Sequence, residues 1–195
     1  MNTSTALLIK ETALEHFALK GFESTCLMEI AKDIGLPMST FETYYDNKEE
    51  IFLSVFEFFA KFYTNSLGDL ILATKDFALE ERVCAITLGV TNNACNNRMA
   101  SLFWKRIIFF PPEAIKIDLL ERLEELIQNI LQALKSIFID AFEKQEMKND
   151  NHSLLAASLY NIINGLTVRL YMNGSDFYET EARFLCKAFC NEIKT

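Results

Sequence analysis

Apolar residues recur at three- and four-residue intervals along almost the whole chain, the spacing of one buried face of an α-helix. Ala6, Ile9, Ala13 and Phe17 make a first short stripe, and Gly21 follows Lys20 where a helix C-terminus favours left-handed backbone. A second short helix is predicted over 25–31, with Glu29 placed to reach back to an N-cap at Cys26 or to favour the first turn. Gly35 stops it. A third helix is predicted over 38–45, entered through Pro37, whose fixed φ suits a first turn. Asp46-Asn47 breaks that helix, and Asn47 followed by Glu50 is the start signal of a fourth. Its stripe, Ile51, Phe52, Val55, Phe59, Phe62 and Tyr63, continues to about Leu72.

Beyond a loop over 74–77, helices are predicted over 78–92 and 96–110, and Pro111-Pro112 is the clearest boundary in the chain. The strongest periodicity follows: Leu119, Leu120, Leu123, Leu126, Ile127, Ile130, Leu134, Ile137, Phe138, Ala141 and Phe142, with Glu121, Arg122, Glu124, Glu125, Gln128 and Lys135 opposite. The polar stretch 146–151 is a loop. Helices over 153–172 and 176–193 close the chain, separated by Asn173-Gly174-Ser175. Nine or ten helices, no convincing strand and no internal repeat predict an all-α protein.

Composition sharpens this picture. Phe occurs 17 times against 6 Gly and 3 Pro, so turn-forming residues are too scarce for an all-β fold. Half the residues are apolar and 24% are charged, a globular balance, and 195 residues suffice for an ordinary domain plus a small one sharing its core. The first 20 residues lack a basic-then-apolar leader and contain Glu11, Glu15 and His16. With five cysteines, an odd number, the expectation is a reducing cytoplasm in which thiols act as small buried hydrophobes. Cys186 and Cys190, one helical turn apart, share a face that suits metal binding or oxidant sensing, but without a nearby His or a CxxC pair the reading favours packing. No membrane span is expected, since Lys105, Arg106, Lys116 and Asp118 interrupt the longest apolar candidates. With two histidines, no H-E-x-x-H, no glycine-rich phosphate loop and no G-x-S-x-G, neither an enzyme nor a cofactor or metal site is expected.

Three short helices with a glycine-containing turn between the second and third describe a helix-turn-helix unit, in which the last helix can lie in the major groove of DNA. The run Ala13-Leu14-Glu15-His16-Phe17-Ala18-Leu19-Lys20-Gly21-Phe22 leads to Thr25. Glu29-Ile30-Ala31-Lys32-Asp33-Ile34-Gly35-Leu36 continues it, and Tyr44-Tyr45-Asp46-Asn47-Lys48-Glu49-Glu50-Ile51-Phe52 closes it. These segments resemble the TetR family of transcriptional repressors over roughly the first 55 residues. The remainder is similar only in architecture, through Pro111-Pro112-Glu113, the long helix after it and Asn164-Gly165-Leu166. The resemblance implies a three-helix DNA-binding domain over 1–48 and a helical ligand-binding and dimerisation domain over 49–195. It implies a homodimer joined through the helices near 153–172 and 176–193, a double-stranded DNA operator, and an inducer that alters the spacing of two reading heads. Half-sites lie about 34–36 Å apart or a multiple of it, so a few Å of head movement breaks the simultaneous fit.

The chain departs from that family in the reading head. Pro37-Met38-Ser39-Thr40 stands where the family usually has Ser-Lys-Gly-Thr, and Glu42 where a Tyr often meets a phosphate. Residues 1–50 hold four Lys, no Arg and nine acids, which is −5 of the chain's −8. Two readings stay open: a locally neutral or weakly basic DNA face, and a TetR-like ligand-sensing or protein-interaction dimer that has lost DNA binding. On the first, the DNA-facing residues are Thr25, Lys32, Met38, Ser39, Thr40, Glu42, Thr43, Tyr44 and Lys48. Lys10, Lys32, Lys48 and the N-terminal amine would meet phosphates, and Glu42 would accept from a cytosine N4 amine. Thr40 and Thr43 suit base contacts or plain solvent exposure, Met38 a thymine methyl or a half-buried site, and Tyr44 a phosphate or a domain boundary. Tyr45 reads as core and His16 as structural. For the sensing half, Phe59, Tyr63, Phe103, Trp104 and Ile107 suit the wall of a pocket for a bulky apolar or amphipathic compound, with Tyr160 and Asn164 to orient it. Taken alone, each of the apolar and aromatic residues is better read as helical core, and the polar Tyr160 and Asn164 are the more telling. The function expected is a ligand-responsive regulator that represses by binding its operator and is released by the inducer.

Overall fold

The computed structural model describes residues 3–173 and 178–194. Among the described residues there are nine α-helices and no strand. They are α1 (Thr3–Ser24), α2 (Leu27–Asp33), α3 (Met38–Phe41), α4 (Lys48–Ala73), α5 (Leu79–Asn96), α6 (Arg98–Phe109), α7 (Lys116–Glu143), α8 (His152–Asn173) and α9 (Tyr178–Lys194). A 3-10 turn at Glu113–Ile115 follows Pro111-Pro112 and leads into α7. The expected break at Gly174-Ser175 lies outside the described residues.

Local chemistry sets most of the boundaries. Helical winding in α1 is interrupted at Gly21 (φ 80°, ψ 173°), and a Cβ there would sit 3.0 Å from Arg106 Nη1. Gly35 (φ 69°) ends α2, with Gly35 N–H donating to Lys32 O and Leu36 N–H to Ala31 O, the paired bonds of a left-handed C-cap. Asn47 Oδ1 accepts from Glu50 N–H at 2.8 Å, and the Glu50 carboxylate reaches back to Asp46 N–H at 2.7 Å. At Cys26 the expected capping does not form: its side chain makes no cap bond, and Glu29 turns to Lys20 at 2.6 Å.

The third helix is shorter than the 38–45 expected from its apolar spacing. It keeps helical winding only to Phe41, and the chain then tightens through Thr43 N–H to Thr40 O and Tyr44 N–H to Phe41 O. Thr43 Oγ1 also donates to Thr40 O at 2.7 Å, so a hydroxyl competes for the carbonyl that a continuing helix would use.

The chain forms two compact units. One takes in the described residues up to Phe62 together with Asn97–Glu124, the other Tyr63–Asn96 with those from Glu125 onward. In the first, α6 packs along α1, and Phe52 gathers the core rings. Phe17 lies 4.9 Å from it, Phe22 5.4 Å and Phe103 5.2 Å, centroid to centroid. Each such side chain, once buried, contributes about 1.5–3 kcal/mol. In the second unit α5 packs against α8 and α9. Arg82, 5% exposed, pairs with Asp140 at 2.6 Å, and the Glu146 carboxylate accepts from Leu79 N–H at 2.6 Å, closing the α5 N-terminus.

Candidate nucleic-acid interface

The turn after Gly35 and the single turn of α3 present a small polar surface because one residue anchors them. Phe41 is fully buried, and Tyr45 turns inward, its hydroxyl 3.3 Å from Ser54 Oγ. Ser39, Thr40, Glu42 and Thr43 therefore point outward, exposed, while Met38 and Tyr44 are half-buried at its margin. The side groups on offer are hydroxyls and one carboxylate, which can donate to and accept from base edges.

The cations around this surface are distributed unevenly. Lys32 is exposed on α2 and Lys10 half-buried on α1. Lys20 is paired with Glu29, whose carboxyl is held below its usual range by the hydrogen bond from that lysine. Lys48 donates to Glu23 O at 3.2 Å and Thr25 O at 3.3 Å, with its ammonium 4.6 Å from the Phe22 ring centroid. It thus ties the end of α1 to the start of α4. Thr25 is buried and donates its hydroxyl to Gly21 O at 2.7 Å. His16, also buried, bonds Asp33 through Nε2 at 2.7 Å and braces α1 against α2.

Arg106 was not singled out by sequence. From α6 it donates through Nε to Ala18 O at 2.6 Å and through Nη2 to Leu19 O at 2.8 Å, the carbonyls left open where α1 breaks at Gly21. A cation at a helix C-terminus is favourable. Its partners lie 87 and 88 positions away, so no local pattern could have announced the bond. Beside it opens a cleft of about 530 Å³ walled by Phe22, Phe52, Phe109 and Phe110 and rimmed by Lys20 and Lys116. Glu57 and Arg122 form a further ion pair in the same unit.

The residues expected to contact a ligand fall into two groups. Phe103 and Ile107 are fully buried, Phe59 is 8% exposed, and Trp104 stacks on Phe59 at 5.5 Å, so these four belong to the aromatic core of the first unit. Tyr63, Tyr160 and Asn164 lie in the second. Burial, and then the neighbouring Tyr160, push the Tyr63 phenol well above its ordinary value. Burial also raises Tyr160, against a hydrogen bond with Asn164 that lowers it. Two phenols and an amide, each half-buried, are thus near enough to influence one another, and polar groups so placed can fix the orientation of an apolar compound. Among the described residues no group of three or more His, Cys, Asp or Glu could hold a metal ion, and no helix is long and apolar enough to cross a membrane.

Residues 9–55 match the family model described as "Bacterial regulatory proteins, tetR family". The chain is 42% identical over 52 residues to the uncharacterized HTH-type transcriptional regulator YuxN of Bacillus subtilis (strain 168), a match spanning 27% of this chain and 18% of YuxN. Among solved structures it is similar to a TetR transcription regulator from Haloarcula marismortui (TM-score 0.81, 16% identity, 99% of this chain and 100% of that one). It is also similar to the transcriptional regulator FadR of Bacillus subtilis in complex with stearoyl-CoA (TM-score 0.72, 17% identity, 97% of each chain).

Proposed function

We propose that this chain, whose residues 9–55 match the tetR family model, is a regulator of that family that binds a double-stranded DNA operator as a homodimer and is released by a small amphipathic ligand. The observation that carries this reading is the surface held out by buried Phe41: Ser39 and Thr40 on the short helix that follows a tight glycine turn, and Glu42 and Thr43 just beyond its end, stand exposed. In a helix-turn-helix these are the positions that reach base edges. Lys32 and Lys10 supply phosphate contacts, while Lys48 and Thr25 keep the reading helix in place. Residues 1–48 act as the reader and 49–195 as the sensing and dimerising part, with α8 and α9 forming the interface of a cytoplasmic dimer.

The inducer is an apolar chain with a polar end, oriented by Tyr63, Tyr160 and Asn164. The likeness to a regulator solved with stearoyl-CoA supports that class. Stearoyl-CoA and free stearate, added to the preformed protein–DNA complex, should lower its DNA affinity at least tenfold, and Tyr160→Phe with Asn164→Ala should blunt the response without changing DNA binding. Undiminished DNA binding at saturating amounts of both compounds would overturn the ligand class and leave the DNA reading intact.

The acidic head supports a second reading, a ligand- or protein-binding dimer without DNA affinity. Glu42 projects from the reading helix, and Lys20 and Lys48 are already engaged within the head.

A further inference from the structure

We propose that Cys84 on α5 and Cys186 on α9 are an oxidation site, at which a peroxide converts the two thiols into an intramolecular disulfide tying α5 to α9. The sequence alone directs attention to Cys186 and Cys190, which lie on one helix. Packing gives Cys186 a different neighbour: α9 lies along α5, Arg183, one turn before Cys186, reaches across to the Cys84 sulfur, and Cys84 is near enough to act on the Cys186 thiol. The two sulfurs differ in surroundings. Cys84 is half-exposed, and Arg183 Nη1 approaches its Sγ at 3.6 Å while Glu179 holds the same guanidinium at 2.6 Å. Cys186 is 1% exposed and sits beside the Thr87 hydroxyl.

This asymmetry sets the order of steps. The accessible Cys84 sulfur attacks one peroxide oxygen and the O–O bond breaks. Hydroxide leaves, takes up the thiol proton and becomes water, so that Cys84 carries a sulfenic acid. Burial pushes the Cys186 thiol up to about 11, so it remains protonated and does not compete for the peroxide. Its sulfur then attacks the oxidised Cys84 sulfur and the S–O bond breaks. The displaced hydroxide takes the Cys186 proton as a second water. Two thiols are oxidised, one peroxide is reduced, and a thiol reductant reverses the change.

The test is chemical and independent of DNA binding. Reduced full-length protein is treated with hydrogen peroxide, its free thiols are titrated, and its peptides are mapped without reduction. The thiol count should fall by two from five, with the Cys84 and Cys186 peptides joined within one chain and released by dithiothreitol. Cys84→Ser and Cys186→Ala should each abolish the joined peptide, and Cys190→Ser should keep it. A bond through any other pair in the wild-type protein, or Cys84 carried on to a sulfinic acid with Cys186 still free, would overturn the proposal.

Discussion

Three helix ends show how far single residues direct the chain. Gly35 and Gln145 occupy the same left-handed position after α2 and α7, at φ 69° and 61°. Gln145 makes the same pair of bonds, its N–H to Phe142 O and Glu146 N–H to Ala141 O. The glycine was legible in the sequence because its missing Cβ has one structural use there. Gln145 was not, because its strain is sustained by Glu146 and Met147, which hold the following loop from inside the second unit. Gln145→Gly should therefore stabilise the protein by about 1 kcal/mol and Gly35→Ala destabilise it by about the same amount, as read by urea unfolding. At Gly21 the positive φ is joined by the close Arg106 guanidinium, so a side chain there meets a second obstacle. Arg82 and Asp140 were equally invisible to local pattern. The hydrogen bond from Lys144, with the one from Arg82, holds the Asp140 carboxyl below its usual range. A depressed folded value means the pair stabilises above the unfolded value and is lost as pH falls through the folded one. Asp140→Asn should cost about 2 kcal/mol at neutral pH, by leaving Arg82 buried beside no carboxylate. The acid side of its stability profile should be flatter than the wild type's.

At the scale of elements, the sequence was most informative where contacts are short-range. The cap at Asn47 and Glu50, the break after Pro111-Pro112 and the long stripe of α7 all rest on residues three or four apart. The reading helix was overestimated for a related reason: Met38, Phe41 and Tyr45 keep helical spacing although the Thr43 hydroxyl and the tightened backbone end the winding at Phe41. What the sequence could not supply was the engagement of each lysine. Lys48 looked like a phosphate contact because charge and a helix N-terminus coincide there, yet its ammonium holds two carbonyls, one in the last turn of α1 and one just after it. Lys32 and Lys48 should accordingly separate by assay. Lys32→Ala should leave the melting temperature unchanged and make the salt dependence of DNA binding shallower by about 2 for a dimer, one contact per head. Lys48→Ala should instead lower stability by about 0.5–1 kcal/mol, through loss of the carbonyl bonds and the Phe22 contact.

For the whole molecule the central question is charge. On the proposed reading, a chain of net −8 with its acids concentrated in the first 50 residues binds DNA through few cations. All four lysines of two heads would give a slope of log affinity on log salt near −7. With Lys20 and Lys48 engaged inside the head, Lys10 and Lys32 alone remain, and the slope falls to about −4. The proposed function then places specificity on the polar surface around Phe41 more than on electrostatic attraction. The most direct measurement is fluorescence-anisotropy binding to DNA from immediately upstream of the protein's own gene, against scrambled DNA, across a salt series. The account predicts preference for the upstream DNA by several kcal/mol, a slope near −4, and loss of that preference in Thr40→Ala with Thr43→Ala. Equal affinity for both DNAs, or no binding even at low salt, would contradict it and leave the acidic head as one that has given up DNA.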